Sequence, residues 1–171
     1  GDKDVVMAAV GDAGQALMFA SKELQGDREF VLAAVEKKWD ALEYASEAVK
    51  GDKGVVLEAA KKDGYALAYA SEELKGDGDF VLAVVKQGGK ALAYASKALQ
   101  GDKEIVVAAV TQDGSAVLYA SDELKVDKEI VKIAKGFDNT DKEAVLAHVK
   151  KDGMALMFAS KALQGDKDVV M

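Results

Sequence analysis

The sequence contains no cysteine and no proline among its 171 residues. Without cysteine, disulfides and thiolate metal sites are excluded, and the redox compartment stays open. The absence of proline, combined with abundant alanine, leucine, lysine and glutamate, favours a helical fold. No apolar run approaches the ~18–20 residues that a transmembrane helix needs, so we expect no membrane span.

An excess of positive charge is also lacking, because 30 acidic residues outnumber 23 basic ones and give a net charge of −7. Nucleic acids and anionic lipids are bound by clusters of lysine and arginine, so we expect neither as the main partner. His148 is the only histidine and has no cysteine or second histidine to form a metal site or a triad with it.

Cofactor motifs are missing as well. Asp77-Gly78-Asp79 lacks the ligand spacing of a calcium loop, and Gly88-Gly89 follows a predicted helix and lacks the Lys-Ser/Thr pair of a phosphate-binding loop. No acid/base pair and no nucleophile–base pair stands out. We therefore predict a non-enzymatic protein without a cofactor.

What the sequence does contain is a 25-residue repeat, typified by GDREFVLAAVEKKWDALEYASEAVK at residues 26–50. We predict a single repeat array over the whole chain. Its units are residues 1–25, 26–50, 51–75, 76–100, 101–125, an irregular segment 126–139, a full unit 140–164 and a truncated unit 165–171. Because the array stops within a unit, we expect a segment of a longer repeat chain or of a larger assembly.

Each unit predicts two helices. Helix A starts after an aspartate that can cap its N-terminus, carries an apolar run such as FVLAAV, and ends at a glycine suited to a left-handed cap. Helix B follows as ALxYASxxL, with a core-facing stripe that in the first unit comprises Ala16, Leu17, Ala20 and Leu24. Helices of this length are marginal alone, so the units must stack.

The predicted fold is thus an all-α solenoid of two-helix repeats. Six full units predict 12 helices, to which we add one helix over 127–135 and a frayed last one. Residues 126–139 start like a helix A, but the partner helix is missing. This irregularity is either a lost helix tolerated as a kink or a bend that shapes a binding surface.

The repeat resembles a family known as domain of unknown function 4116. FVLAAV with ALEYAS at residues 30–35 and 41–46, and FVLAVV with ALAYAS at 80–85 and 91–96, carry the resemblance best. Trp39 at a glycine position, and Glu58 and His148 at alanine positions, depart from the pattern. The resemblance implies an array of short helices and no catalytic or ligand-binding residue.

Two sets of residues recur at one position in every full unit. The first is aromatic and the second is a serine two residues later. These sets predict either a packing spine, with each serine bonding a carbonyl one turn back or capping a neighbour, or a platform on which a ligand stacks. The aromatic residues are Phe19, Tyr44, Tyr69, Tyr94, Tyr119 and Phe158.

The outer stripe of helix B varies from unit to unit, and several of its positions are apolar. Such residues on a solvated face suit contacts with other proteins, although packing against an adjoining unit would also explain them. The candidate partner-binding residues are Met18, Tyr65, Leu118, Met154 and Met157. We predict a scaffold for protein–protein interaction. The alternative is a structural subunit buried in a large multi-protein assembly.

Overall fold

The computed structural model describes residues 3–134, which form sixteen helices and no strand. The first repeat contains α1 (Lys3–Asp12), the 3-10 helix η1 (Gly14–Phe19) and α2 (Lys22–Gly26). The other helices, in chain order, are α3 (Arg28–Lys37), η2 (Trp39–Tyr44), α4 (Glu47–Lys50), α5 (Lys53–Lys62), η3 (Gly64–Tyr69), α6 (Glu72–Lys75), α7 (Gly78–Val85), η4 (Gly89–Tyr94), α8 (Lys97–Gln100), α9 (Lys103–Gln112), η5 (Gly114–Tyr119), α10 (Asp122–Lys125) and α11 (Lys128–Ala134).

The all-α solenoid is confirmed, because equivalent helices of successive repeats lie against one another. The long helices α1, α3, α5, α7, α9 and α11 form one column, and the 3-10 helices form a second column beside it. Between the columns lies one continuous core, to which each of the five described repeats contributes alanine and valine side chains and the first four contribute leucine as well. Leu17, Leu42, Leu67 and Leu92 recur at the same position and are completely buried.

The prediction of two helices per repeat is wrong, because helix B is divided into a 3-10 helix and a short α-helix. Ala70 and Ser71 lie between η3 and α6 in extended conformation. The backbone N–H of Ser71 donates to the carbonyl of Lys50 in the preceding repeat at 3.0 Å. Since this amide bonds across the repeat boundary, it cannot bond within a continuous helix.

The serine side chain then starts the next helix. Ser71 Oγ accepts a hydrogen bond from the backbone N–H of Leu74 at 3.3 Å, as an N-cap does. Ser21, Ser46 and Ser96 make the same contact. The hydroxyl is thus an acceptor for the turn ahead, and it does not donate to the carbonyl one turn back that the sequence had predicted as one alternative.

The aspartate N-caps of the long helices are confirmed, and the same side chains also link the repeats. Asp27 Oδ1 accepts from the backbone N–H of Phe30 at 3.1 Å, while its Oδ2 accepts from Lys3 Nζ at 2.7 Å. Three further cation–aspartate pairs span successive repeats in the same way: Arg28–Asp52, Lys53–Asp77 and Lys103–Asp127. Each aspartate therefore fixes a helix start and the stacking of two repeats.

The left-handed glycine caps predicted after helix A are wrong, since no glycine among residues 3–134 has a positive φ. The glycines instead begin the 3-10 helices at places where neighbouring repeats approach closely. A Cβ at Gly89 would collide with the carbonyl oxygen of Ala109, and one at Gly14 would collide with the Asp40 side chain. Here glycine is required for its missing side chain and not for its backbone freedom.

A buried glutamine closes two of the described repeats. Gln100 Nε2 donates to the carbonyls of Leu92, Ala93 and Ala95 at the end of η4. Its Oε1 accepts from Lys97 Nζ at 3.0 Å. Gln25 makes the equivalent contacts with η1 and Lys22. In the other described repeats the cation comes last: an acidic residue pairs with the lysine three residues later that ends the repeat. These pairs are Glu47–Lys50, Glu72–Lys75 and Asp122–Lys125.

The helix predicted over 127–135 is observed as α11, whose N-terminus is capped by Asp127. The predicted full unit 140–164, the truncated unit 165–171 and the rest of the irregular segment lie outside the described residues. His148, Met154, Met157 and Phe158 lie there too.

Candidate protein-binding face

The candidate partner-binding residues that the structure describes lie on the column of 3-10 helices. Met18 in η1 is 49% exposed, and Tyr65 in η3 is 43% exposed. Leu118 in η5 is half-buried. We use the name outer face for the second and fifth residues of each 3-10 helix: residues 15, 18, 40, 43, 65, 68, 90, 93, 115 and 118.

The structure does not bring these three side chains together. Met18 borders a shallow groove of about 450 Å³ between the first two repeats, beside Glu43 and Tyr44. Tyr65 borders a second cleft, between the third, fourth and fifth repeats. Leu118 lines neither of them. The candidate residues of the outer face thus lie apart from one another along the array.

An aromatic cluster joins the second, third and fourth repeats. The Trp39 ring lies 5.8 Å from that of Tyr65 and stacks on that of Tyr69 at 6.3 Å between centroids. Tyr65 meets Tyr69 at 5.7 Å and Tyr94 at 4.7 Å, both edge to face. Tyr65 and Trp39 therefore connect the aromatic residues that the sequence predicted as a simple ladder.

The recurring tyrosines of this ladder also pack against the core. Tyr44, Tyr69, Tyr94 and Tyr119 are half-buried beside it. Phe19, their equivalent in the first repeat, is 79% exposed. These contacts support the packing interpretation for the four tyrosines, and they leave Tyr65 and Phe19 as the aromatic residues with the most free surface.

Carboxylates lie beside the aromatic cluster. Burial, followed by a hydrogen bond to Glu43, raises the pKa of Tyr69 to about 12. Burial and the proximity of Glu43 also raise the pKa of Tyr44. Burial raises the pKa of Tyr94, with a smaller contribution from nearby Asp63. The hydroxyls of these tyrosines thus stay protonated at neutral pH and remain hydrogen-bond donors.

The cleft beside Tyr65 has a volume of about 380 Å³. Gly64, Gly88 and Gly89 line it, and the lack of side chains at these positions contributes to the hollow. In the second repeat the residue equivalent to Gly64 and Gly89 is Trp39, whose ring lies against Tyr65. The other lining residues are Asp63, Tyr65, Gln87, Lys90, Ala91, Tyr94, Gln112, Asp113 and Tyr119.

Two aspartates of the cleft are held in place by the 3-10 helices that they precede. Asp63 Oδ1 accepts from the backbone N–H of Tyr65 at 2.8 Å. Asp113 Oδ1 accepts from the backbone N–H of Ser115 at 2.9 Å and from its hydroxyl at 2.6 Å. Within residues 3–134, the Oδ2 atom of each aspartate makes no hydrogen bond or ion pair, so both carboxylates keep a free acceptor.

This cleft was not predicted from the sequence. Gly88-Gly89 was excluded as a phosphate-binding loop, and the glycine that follows helix A was interpreted as a helix cap. The sequence feature that could have indicated a cleft is the pair of glycines in the fourth repeat, together with a tyrosine in each neighbouring repeat. Only the stacking of repeats brings these residues together, because Gly64, Gly89 and Tyr119 are far apart in the chain.

In the part of the chain that the structure describes, no three histidine, cysteine, aspartate or glutamate residues are grouped so that they could hold a metal ion. None of the helices between residues 3 and 134 has the length and apolar character required to cross a membrane.

Comparison with known proteins shows a family to which most of the chain is similar. The model of the family described as Domain of unknown function (DUF4116) matches residues 2–50, 52–100, 102–135 and 141–171. The first two matches each span nearly two of the 25-residue units, so one family domain corresponds to a pair of repeats. No curated protein and no solved structure matches the chain.

Proposed function

Because the chain belongs to the DUF4116 family, whose description assigns no activity, we propose a function from its surface: the array is a non-enzymatic scaffold that binds other proteins through its outer face. The observation that carries this proposal is the exposure of Met18 and Tyr65 on one column of helices. Large apolar side chains that recur on one face of a repeat array are typical of protein contacts. Methionine in particular adapts to irregular partner surfaces.

The variation of the outer face between repeats supports the same function. The position of Met18 is occupied by Glu43 in the second repeat, and the position of Tyr65 is occupied by Asp40 and Lys90 in its neighbours. The core tolerates no such variation, since the equivalents of Leu67 in the described repeats are all leucine or valine. Partner specificity would be set by these side chains, one repeat at a time.

The experiment charges the face without altering the core. Met18→Glu combined with Tyr65→Glu places acids where other repeats already carry polar residues, so folding should be retained. Tyr65→Glu also removes ring contacts with Trp39, Tyr69 and Tyr94, which should lower the melting temperature moderately without unfolding the array. Proteins that co-isolate with the native chain should be lost from this folded variant. Retained association would place the interface on another surface.

A second candidate function, a structural subunit of a large assembly, is favoured by a different observation. Val5 is 65% exposed in the first repeat, whereas its equivalents Phe30, Val55, Phe80 and Ile105 are buried. Phe19 is exposed on the same repeat. This uncovered surface would suit a stacking neighbour. Val5→Glu combined with Phe19→Glu should abolish assembly if this candidate is right, and it should leave outer-face binding unchanged.

A further inference from the structure

The cleft between the third, fourth and fifth repeats combines aromatic rings with free carboxylate oxygens. Tyr65, Tyr94 and Tyr119 contribute the rings, and Asp63 and Asp113 contribute the carboxylates. We propose that this cleft binds an arginine side chain presented by a basic segment of a partner protein. The proposal rests on the proposed function and names the chemistry of the partner.

Charge complementarity selects a cation. Asp63 and Asp113 each use only Oδ1 for the backbone of their own repeat, and their Oδ2 atoms make no hydrogen bond or ion pair within residues 3–134. A carboxylate that the backbone already orients can accept from a cation with little further loss of side-chain freedom. The chain as a whole has a net charge of −7, which attracts basic segments and repels acidic ones.

The aromatic rings favour arginine over lysine. Tyr65 and Tyr94 meet edge to face at 4.7 Å, so their ring planes form a corner. Tyr65 also keeps 43% of its surface exposed, which leaves part of the ring free for a ligand. A planar guanidinium can stack on a ring and donate to a carboxylate with its edge at the same time. The compact ammonium group of lysine has no flat face, so it cannot stack on the ring and donate to the carboxylate equally well at the same time.

Lys90 also lines the cleft, is exposed, and makes no ion pair in the described part of the chain. Its ammonium group weakens the negative field that Asp63 and Asp113 produce. Lys90→Ala should therefore strengthen arginine binding severalfold at low salt, and the gain should shrink as salt screens the charge.

Gly88 offers a matched pair of variants inside the cleft. Its backbone is extended, with φ −158° and ψ 109°, and a Cβ added there would meet nothing within 4 Å. Equivalent positions hold Lys38 in the second repeat and Asp63 and Asp113 in the third and fifth. Gly88→Asp and Gly88→Lys should therefore keep the fold, and they place opposite charges in the cleft.

The experiment titrates the full chain with acetylated Gly/Ser peptides that carry two arginines, two lysines or two neutral citrullines. Binding is measured by calorimetry and by the fluorescence of Trp39, the single tryptophan, whose ring lies beside Tyr65. The arginine peptide should bind most tightly, and the citrulline peptide about tenfold or more weaker, because it lacks the charge-assisted hydrogen bonds. Gly88→Asp should tighten and Gly88→Lys should weaken arginine binding, each about tenfold.

Equal binding of the arginine and citrulline peptides, or equal affinities of the two Gly88 variants, would overturn the proposal. The Met18→Glu, Tyr65→Glu variant separates this result from the proposed function. If that variant loses its native partner although the arginine peptide fails to bind the parent chain, the scaffold function stands and the arginine site is wrong. If the arginine peptide binds as expected but the variant keeps its native partner, the site stands and the outer-face function is wrong.

Discussion

Arg28 donates from Nε to Oδ2 of Asp52 in the next repeat at 2.8 Å, while Oδ1 of Asp52 accepts from the backbone N–H of Val55 at 2.9 Å. One carboxylate thus caps a helix and holds the neighbouring repeat. Between residues 3 and 134 the pattern recurs at each repeat junction except at Asp102, because the residue that would face it is Gly78. The chain therefore contains its own test of what this link contributes.

Gly78→Lys should install the missing link. A Cβ at Gly78 would lie 3.8 Å from Leu99 Cδ2, which is an ordinary contact, and lysine occupies the equivalent position at Lys3, Lys53 and Lys103. Replacing Gly78 reduces the conformational freedom of the unfolded chain and contributes roughly 0.4–1 kcal/mol, and an exposed ion pair contributes about 0–1 kcal/mol. Urea denaturation should therefore show a gain of about 1 kcal/mol. Gly78→Ala is the control, since it removes the glycine without adding the charge. A Gly78→Lys variant no more stable than Gly78→Ala would mean that the ion pair contributes nothing.

Stability should fall as the aspartates between repeats are protonated. Hydrogen bonds from Lys3, Arg28, Lys53 and Lys103 lower the pKa values of Asp27, Asp52, Asp77 and Asp127, respectively. Because each folded pKa lies below the unfolded value of about 3.9, their contribution is fully present above that pH and is lost as the pH falls through the folded pKa.

Melting temperatures recorded from neutral pH down into this range should therefore drop most steeply below about pH 4. Asp52→Asn retains a side chain that can cap the helix but loses the charge, so its melting temperature should depend less on pH. A parental profile for Asp52→Asn would contradict this origin of the acid sensitivity.

Gly89→Ala should destabilise the array, whereas Gly88→Ala should not. A methyl group at Gly89 meets the backbone carbonyl of Ala109, which cannot move away without shifting α9. Overpacking of this kind costs typically about 1–3 kcal/mol. At Gly88 the added Cβ meets nothing within 4 Å and the backbone is already extended, so the effect should be neutral or slightly stabilising. Equal melting temperatures of the two variants would show that close approach is not the reason for Gly89.

Leu67→Ala should cost about 2–5 kcal/mol, because the side chain is completely buried in the core between the two columns. Chemical denaturation followed by far-ultraviolet circular dichroism measures the loss. Val126→Ala, which shortens an exposed aliphatic side chain, is the matched control and should change stability by less than about 0.5 kcal/mol. A parental denaturation midpoint for Leu67→Ala would contradict the assignment of this position to the core.

The long helices could be predicted from the sequence because their signals are local. Asp27 caps Phe30 three residues ahead, and the apolar run from Phe30 to Val35 lies within the same helix. The division of helix B could not be predicted in this way. It depends on the amide of Ser46 bonding to Gln25 of the preceding repeat, and such a contact exists only after stacking. The invariant serine was the one available signal, since serine favours a helix N-cap over a helix interior.

The candidate site was predictable only in part. The exposure of Met18 and Tyr65 agrees with the helical position of these residues, but the sequence analysis placed both on a longer helix B. The free Oδ2 atoms of Asp63 and Asp113 depend on backbone contacts within 3-10 helices that the sequence analysis did not foresee. The cleft itself forms only because stacking brings glycines and tyrosines of three repeats together, and the sequence does not give the distance between stacked repeats.

The hydrogen bond from each serine amide to the last residue of the preceding repeat has a consequence for how the array can change in length. Ser71, Ser96 and Ser121 donate to Lys50, Lys75 and Gln100, so the donor and the acceptor recur at a fixed place in these described units. Deleting or duplicating a whole unit recreates the bond between new neighbours. Inserting a single residue between the serine and the end of its unit displaces the carbonyl of the unit's last residue. That carbonyl and the serine amide of the next unit would then no longer face each other. We therefore expect the array to tolerate the loss or gain of complete units. The Gly-Asp dipeptide that begins a unit marks the boundary at which units can be removed or added.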